Sequence, residues 1–312
     1  MERDYGFDNI KCILIFSVVL GHLLEFCGDF SILYRMIYLF HMPVFMFVSG
    51  YFGKFGLRQM LDKIWMYGLF QVLYILFERL VTGAQTPLQF TTPYWILWYL
   101  FVMIACTALI PLYRAKTRKK RIVALAVSLM LSLAAGCFEK IGYPMSLSRF
   151  FVFQPYFLLG LYAKEEQLPA LGKKTAMVVG MLGVLSLGVA CMPNITNRML
   201  YGTACYGNYA DAFYRLLLFF VSCIWIGVFW AAKRSLKGKI PVVSMIGKNT
   251  LPIYLLHGFF MRLGAWNILL VPNQILPILL LTAGICMLLG NSVAGNIVAH
   301  MSPACFIKKR VH

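Results

Sequence analysis

The stretch IKCILIFSVVLGHLLEFC, residues 10–27, decides the class of this protein. An α-helix rises 1.5 Å per residue, so about 20 apolar residues cross the roughly 30 Å of hydrocarbon in a bilayer. The run is apolar and long enough for that task, and Lys11, His22 and Glu25 are the members a bilayer penalises. The charged segment before it, MERDYGFDNIK, is followed by no A-x-A-like cleavage site, so no cleavable leader is expected.

Nine further stretches have the same character, near 36–53, 62–81, 94–113, 122–138, 148–164, 174–192, 212–232, 250–266 and 275–298. Composition agrees: AVILMFWYC supply 61% of the 312 residues and DEKR only 13%, about half the charged share of a soluble domain. The expected fold class is therefore all-α, a polytopic membrane protein with about ten transmembrane helices. It is expected to be a single membrane-embedded domain over 1–312.

Lys and Arg set the orientation, because cytoplasmic loops collect them. With ten spans, 22 of the 29 basic residues fall on one side. The other side holds Arg35, Arg79, Lys140, Arg149, Arg198, Arg215 and Arg262. Both termini are thus expected in the cytoplasm of a multi-pass cell-membrane protein. The net charge of +18 is accounted for by anionic lipid headgroups as partners, without nucleic acid. The nine cysteines are scattered with no CxxC pair, giving neither a zinc nor a haem framework. Soft apolar filling explains them, with a Cys191–Cys205 bridge left open. No P-loop, GxGxxG, HExxH or GxSxG motif occurs. The acidic residues sit mostly near span ends, which weakens the reading as a pump or ion-coupled transporter.

Polar residues inside spans carry the functional signal. Lys11 and His22 are eleven residues apart, about three turns plus roughly 20°, so they share one helix face about 16 Å apart along the axis. Glu25 lies three residues beyond His22 and reaches it on the same face; a carboxylate there favours the imidazolium and orients the ring. Bland readings exist for each: a packed histidine for His22, a snorkelling anchor for Lys11. The second span opens FHMP, with His41 before Pro43, and continues FVSG, where Ser49 and Gly50 suit close helix approach. Trp95 and Trp98 fit an aromatic belt, Arg149 an interfacial cation, and His257 falls near mid-membrane. His300 and His312 receive no role.

Together these residues form a pattern. Lys11 and Gly21-His22, Phe40-His41-Met42-Pro43 running into Phe47-Val48-Ser49-Gly50, Trp98-Tyr99-Leu100, Arg149, and Gly247-Lys248-Asn249-Thr250 leading to Tyr254-Leu255-Leu256-His257 span nearly the whole chain. The chain resembles the acyltransferase 3 family of integral membrane acyltransferases, and within it the fucose 4-O-acetylase-like subgroup. The resemblance implies a ten-helix O-acetyltransferase that moves an acetyl or related acyl group from cytoplasmic acetyl-CoA to a hydroxyl of a sugar or cell-surface glycan precursor. No metal is expected. Two departures matter. Lys11 occupies a place where the family commonly has Arg, which keeps the charge but loses the planar two-pronged grip on phosphate. The chain also ends at His312, so it is expected to lack the extracytoplasmic SGNH domain that some relatives carry.

On that resemblance, Lys11 and the basic inner loops hold the phosphates of acetyl-CoA, and His22 acts as general base with Glu25 orienting it. His41 or Arg149 steadies the developing oxyanion or holds the sugar, and Trp98 and His257 are further substrate-binding candidates. A covalent acyl-His route is equally open. The competing class is a transporter, exporter or sensor on the same helical scaffold. The acceptor's identity, the acyl donor's identity, the oligomeric state and any separate extracytoplasmic partner are not encoded in a readable spacing.

Overall fold

The computed structural model describes residues 3–27, 30–114, 117–142, 144–263 and 274–302, and all regular elements among them are helical. The α-helices are α1 (Tyr5–Cys27), α2 (Ser31–Tyr38), α3 (His41–Tyr51), α4 (Leu57–Thr82), α5 (Trp98–Ala108), α6 (Ile110–Tyr113), α7 (Arg118–Ala134) and α8 (Leu147–Glu165). They continue with α9 (Lys173–Ser186), α10 (Asn197–Leu200), α11 (Tyr209–Ser235), α12 (Pro241–Lys248), α13 (Thr250–Arg262), α14 (Ile275–Leu289) and α15 (Ser292–Met301). The ends follow local chemistry. Thr117 and Asn291 cap α7 and α15 by accepting from Lys120 N and Ala294 N. Pro241 opens α12, where a missing N–H breaks nothing. Gly83, at φ 70°, closes α4 in the left-handed conformation.

Among the described residues, six helical stretches are long and apolar enough to cross a membrane: Tyr5–Phe26, Ser31–Tyr51, Leu57–Thr82, Arg118–Cys137, Lys173–Cys191 and Tyr209–Ser235. A seventh arises if α14 and α15, bent by 58°, count as one. The remaining expected stretches are helical too, but differently built. The 94–113 stretch is divided among a 3₁₀ turn (Trp95–Leu97), α5 and α6. Helix α8 has Arg149, Lys164 and Glu165 near its ends and Pro155 inside. Helix α13 runs 13 residues to Arg262, and most of the expected remainder of that stretch lies outside the described residues.

The chain divides into two compact units. Unit 1 comprises 1–34, 56–101 and 236–312; unit 2 comprises 35–55 and 102–235. In unit 1, α1 packs on α12, α13 and α14. Gly247 lets α12 touch α1, since a Cβ there would fall on the carbonyl oxygen of Asp8. The fully buried Asn9 then ties the two together, donating to Leu236 O at 2.7 Å and Gly238 O at 2.9 Å and accepting from Ser244 Oγ at 2.7 Å. Each such bond contributes about 0.5–1.5 kcal/mol net, and leaving any of these groups unpaired would cost more.

The loop between α4 and α5 is held from both sides. Gln71, 1% exposed, donates to Gln89 O at 2.6 Å and Thr92 O at 3.0 Å, and accepts from Tyr94 N at 2.8 Å. Tyr67 donates to Phe90 O. From α13, Tyr254 donates to Ile96 O at 2.8 Å and accepts from Leu100 N at 3.2 Å. These bonds hold Trp95 at φ 30°, a backbone region that costs a bulky residue free energy and persists only where the surroundings impose it.

In unit 2 the closest packing is between α3 and α8. A Cβ on Gly50 would land on the carbonyl oxygen of Phe157, and one on Gly160 on that of Phe47. The two glycines are therefore reciprocal, each admitting the other helix's backbone, as small residues do between membrane helices. Cationic side chains tie loops to helix ends by donating to carbonyls. Arg35 donates to Ala190 O and Met192 O, Arg149 to Tyr201 O, and Arg215 to Ser132 O and Ala204 O. Cys191 and Cys205 are free thiols, so the bridge left open by the sequence is not formed.

Two substitutions probe this construction. Gly160→Leu drives a side chain into the Phe47 carbonyl, and overpacking of that kind costs about 1–3 kcal/mol; we expect a lower Tm in detergent and loss of the monodisperse species. An unchanged Tm would mean that α3 and α8 have room to part. Gln71→Ala deletes three hydrogen bonds, and we expect a lower Tm together with faster proteolytic nicking within 83–93.

Candidate active site

Helix α1 extends unbroken past Lys11 and His22, so the same-face spacing read from the sequence applies. At its N-terminal end Asp8, 5% exposed, pairs with both Lys11 (Nζ to Oδ1, 2.9 Å) and Arg3 (Nε to Oδ2, 2.6 Å). Two cations thus share one carboxylate. At the other end, His22 Nδ1 lies 3.5 Å from Glu25 Oε2. The pair is close enough to attract but makes no hydrogen bond. The His22 side chain retains 15% exposure.

His257 stands against His22. Their rings stack with centroids 5.4 Å apart and planes 29° from parallel. His257 is fully buried. Its Nδ1 lies 2.8 Å from the carbonyl oxygen of Ile253. A carbonyl only accepts, so Nδ1 carries the hydrogen and the neutral ring presents a lone pair at Nε2. That Nε2 has no hydrogen-bond partner. His41 and His300 make the same bond to the carbonyl four residues back, at 2.9 Å and 2.7 Å. The backbone bond is thus a helical habit; the buried, unpaired Nε2 is what sets His257 apart.

Trp95 completes the wall. Its ring meets His22 edge-on at 4.8 Å, and the Arg262 guanidinium lies over it at 4.8 Å and over Tyr94 at 5.5 Å. Such cation–π contacts stabilise a guanidinium by about 0.5–2 kcal/mol, more when water is excluded. Arg262 Nε and the Tyr94 hydroxyl are also buried without hydrogen bonds. Five buried side-chain polar atoms among the described residues lack a partner, and four of them (on His22, Tyr94, His257 and Arg262) belong to this one run of contacts. Tyr74 supports it from α4, donating to Leu255 O at 2.8 Å and stacking on Phe259 at 4.1 Å. Gly258 makes room, since a Cβ there would meet the Tyr74 hydroxyl.

Of the residues singled out in the sequence, Lys11, His22, Glu25, Trp98 and His257 lie in unit 1, and His41 and Arg149 in unit 2. His22, Glu25 and His257 are brought together. Trp98 begins α5, whereas the indole set against His22 is that of Trp95. In unit 2, His41 is 3% exposed with the Tyr38 ring edge-on at 4.5 Å; Tyr38 meets Tyr201 at 5.3 Å, whose carbonyl accepts from Arg149 at 3.3 Å. Sequence reading missed Arg262 and Tyr94 and took Trp95 for a belt residue. The signal available was that Tyr94-Trp95 stand only two residues before the Trp98-Tyr99-Leu100 segment. Among the described residues no group of three His, Cys, Asp or Glu side chains could hold a metal ion.

Comparison with known proteins gives the family. The acyltransferase domain of the acyltransferase 3 family matches residues 4–295. Among curated proteins, the nodulation protein NolL of Sinorhizobium fredii (strain NBRC 101917 / NGR234) is 47% identical over 60 residues, covering 17% of this chain and 16% of that protein. The nodulation protein NolL of Mesorhizobium japonicum (strain LMG 29417 / CECT 9101 / MAFF 303099) is 43% identical over 60 residues, with the same coverage. The chain thus matches about a sixth of the length of these relatives. No solved structure matches. A family match across nearly the whole chain, over helices apolar and long enough to cross a membrane, makes this protein a member of the acyltransferase 3 family.

Proposed function

We propose that this protein is an integral membrane O-acyltransferase. In this reading it moves an acetyl group from cytoplasmic acetyl-CoA to a hydroxyl of a sugar or cell-surface glycan precursor, as the fucose 4-O-acetylase-like subgroup would. Ten spans with both termini in the cytoplasm of a cell-membrane protein belong to the same proposal, supported by the distribution of Lys and Arg. The observation that carries it is the stacked His22–His257 pair, with a buried Nε2 lone pair on one ring and a carboxylate beside the other.

The chemistry follows from geometry. Glu25 lies beside His22 and orients its ring, and His22 is the ring of the pair with exposed surface, so the acceptor hydroxyl approaches it and gives up its proton to it. The hydroxyl oxygen then attacks the thioester carbonyl, the C–S bond breaks, and the proton passes from His22 to the departing thiolate. His257 lies behind His22 and positions it, while Trp95 meets the ring edge-on. At the cytoplasmic end, Lys11 and the basic loops would hold the phosphates of acetyl-CoA. A tetrahedral oxyanion forms next to the Arg262 guanidinium, whose Nε is available to donate.

The test is transfer of radiolabelled acetyl from acetyl-CoA by purified protein in detergent with a glycan acceptor extract. His22→Ala is expected to insert and purify normally and to lose about 10²–10⁴ in rate, the range for removal of a general base. His257→Asn, which leaves His22 in place, is expected to lose less. Full activity in His22→Ala would remove His22 from the reaction. Label that crosses a liposome membrane on intact acetyl-CoA, without hydrolysis or transfer, would favour transport instead.

A further inference from the structure

Two exposed thiols of unit 2 stand close together at a place that the acyl-transfer chemistry does not use. Cys137 ends the apolar stretch Arg118–Cys137, and Cys205 lies in the loop that leads into α11. Both are free and exposed, so the apolar filling that accounts for buried cysteines such as Cys106 does not account for them. A third exposed thiol, Cys191, is engaged elsewhere: the carbonyls on either side of it, Ala190 O and Met192 O, accept from Arg35.

A backbone hydrogen bond joins the two sites. Tyr206 N donates to Gly136 O at 2.8 Å. The acceptor belongs to the peptide unit between Gly136 and Cys137, and the donor to the unit between Cys205 and Tyr206. In planar trans peptides the Cα of Cys137 is about 2.8 Å from that oxygen, and the Cα of Cys205 about 2.4 Å from that nitrogen. The two Cα atoms are therefore no more than about 8 Å apart even at full stretch. A disulfide spans roughly 4.4–6.8 Å between Cα atoms, so a backbone shift of about an ångström at most closes the pair. The contact is held from other directions too. Tyr206 Oη donates to Leu133 O at 2.8 Å, and Arg215 donates to Ser132 O at 2.9 Å and Ala204 O at 2.5 Å. Both sulfurs lie within electrostatic range of that same guanidinium.

We propose that Cys137 and Cys205 are a modification site, oxidised to a disulfide that ties the turn after α7 to the loop before α11. The proposal rests on the ten-span orientation given above, which puts both thiols on the side away from the cytoplasm, where disulfides persist. The oxidant is a disulfide-bearing thiol oxidant. One cysteine thiolate attacks a sulfur of that disulfide, forming a mixed disulfide and releasing the first of the oxidant's sulfurs as a thiolate. The second cysteine thiolate attacks the cysteine sulfur of the mixed disulfide and releases the other. The two cysteines lose two electrons and two protons, and the oxidant ends as a dithiol.

Purified full-length protein in detergent, treated with glutathione disulfide, alkylated and digested without reduction, tests the geometry by mass spectrometry. A peptide pair joining Cys137 to Cys205 is expected, lighter by two hydrogen atoms than the separate thiol peptides and split by a reducing agent. Cys191→Ser is expected to keep this pair. Cys137→Ser is expected to abolish it, and its Tm in glutathione disulfide to fall below that of the bridged protein. On intact cells expressing the protein, a membrane-impermeant maleimide is expected to label both thiols only after reduction. The proposal is overturned on geometry if both thiols of the purified protein stay open to alkylation, or if Cys205 pairs with Cys191. Labelling of intact cells without prior reduction overturns it as well. Thiols that bridge in detergent but are reached only from the cytoplasmic face of inverted vesicles overturn it through the orientation, and leave the acyl-transfer chemistry untouched.

Discussion

Hydrocarbon offers no hydrogen bonds, and that single fact governs where the polar side chains of this protein go. Asn9, Gln71, Tyr74, Tyr254, Ser222 and Arg215 are shielded from lipid and water, and each is bonded to a backbone carbonyl of a neighbouring segment. They replace the water that the loop backbone would otherwise need. In this setting a buried polar atom with no partner is expensive, and such atoms are few. Their concentration around Trp95 is therefore informative. A strained indole, two stacked imidazoles and an arginine with an idle Nε are maintained at a cost that the Gln71, Tyr254 and Tyr74 bonds offset. Costs of this kind gather where a site must be ready for a ligand.

The arginines of the sparsely basic side show a second economy. By charge counting they are merely the minority that the positive-inside bias leaves over. In the structure Arg35, Arg79, Arg149 and Arg215 all donate to carbonyls of loops or helix ends, and Arg262 lies over two aromatic rings. A guanidinium serves here better than an ammonium because its fork reaches two carbonyls at once and its weak hydration makes burial less costly. Arg215 satisfies two carbonyls in this way.

Some motif residues turn out to be structural. Gly50 and Gly160 let α3 and α8 touch backbone to backbone, and Gly247 does the same for α12 on α1. Asn249 donates to Gly290 O at 2.8 Å, joining the start of α13 to the end of α14. Gly247 and Asn249 hold the helices of unit 1 at the spacing on which the His22–His257 contact depends. A substitution at either would be felt at the imidazoles without touching them.

The sequence by itself determined that the chain is helical and membrane-embedded, because apolar runs near 20 residues have no other stable solution in hydrocarbon. It also determined that Lys11, His22 and Glu25 share one face of α1, because a helix repeats every 3.6 residues. The pairing of Glu25 with His22 was legible for the same reason. Only the tertiary structure decided that His257, 235 positions away, is the ring stacked on His22, and that Trp95 and Arg262 close around the pair. Helical periodicity places residues on a face but says nothing about which helix that face meets. That choice is made by close approaches at single glycines, of the Asp8 backbone at Gly247 and the Tyr74 side chain at Gly258, and by hydrogen bonds between distant segments, and neither leaves a local pattern to read.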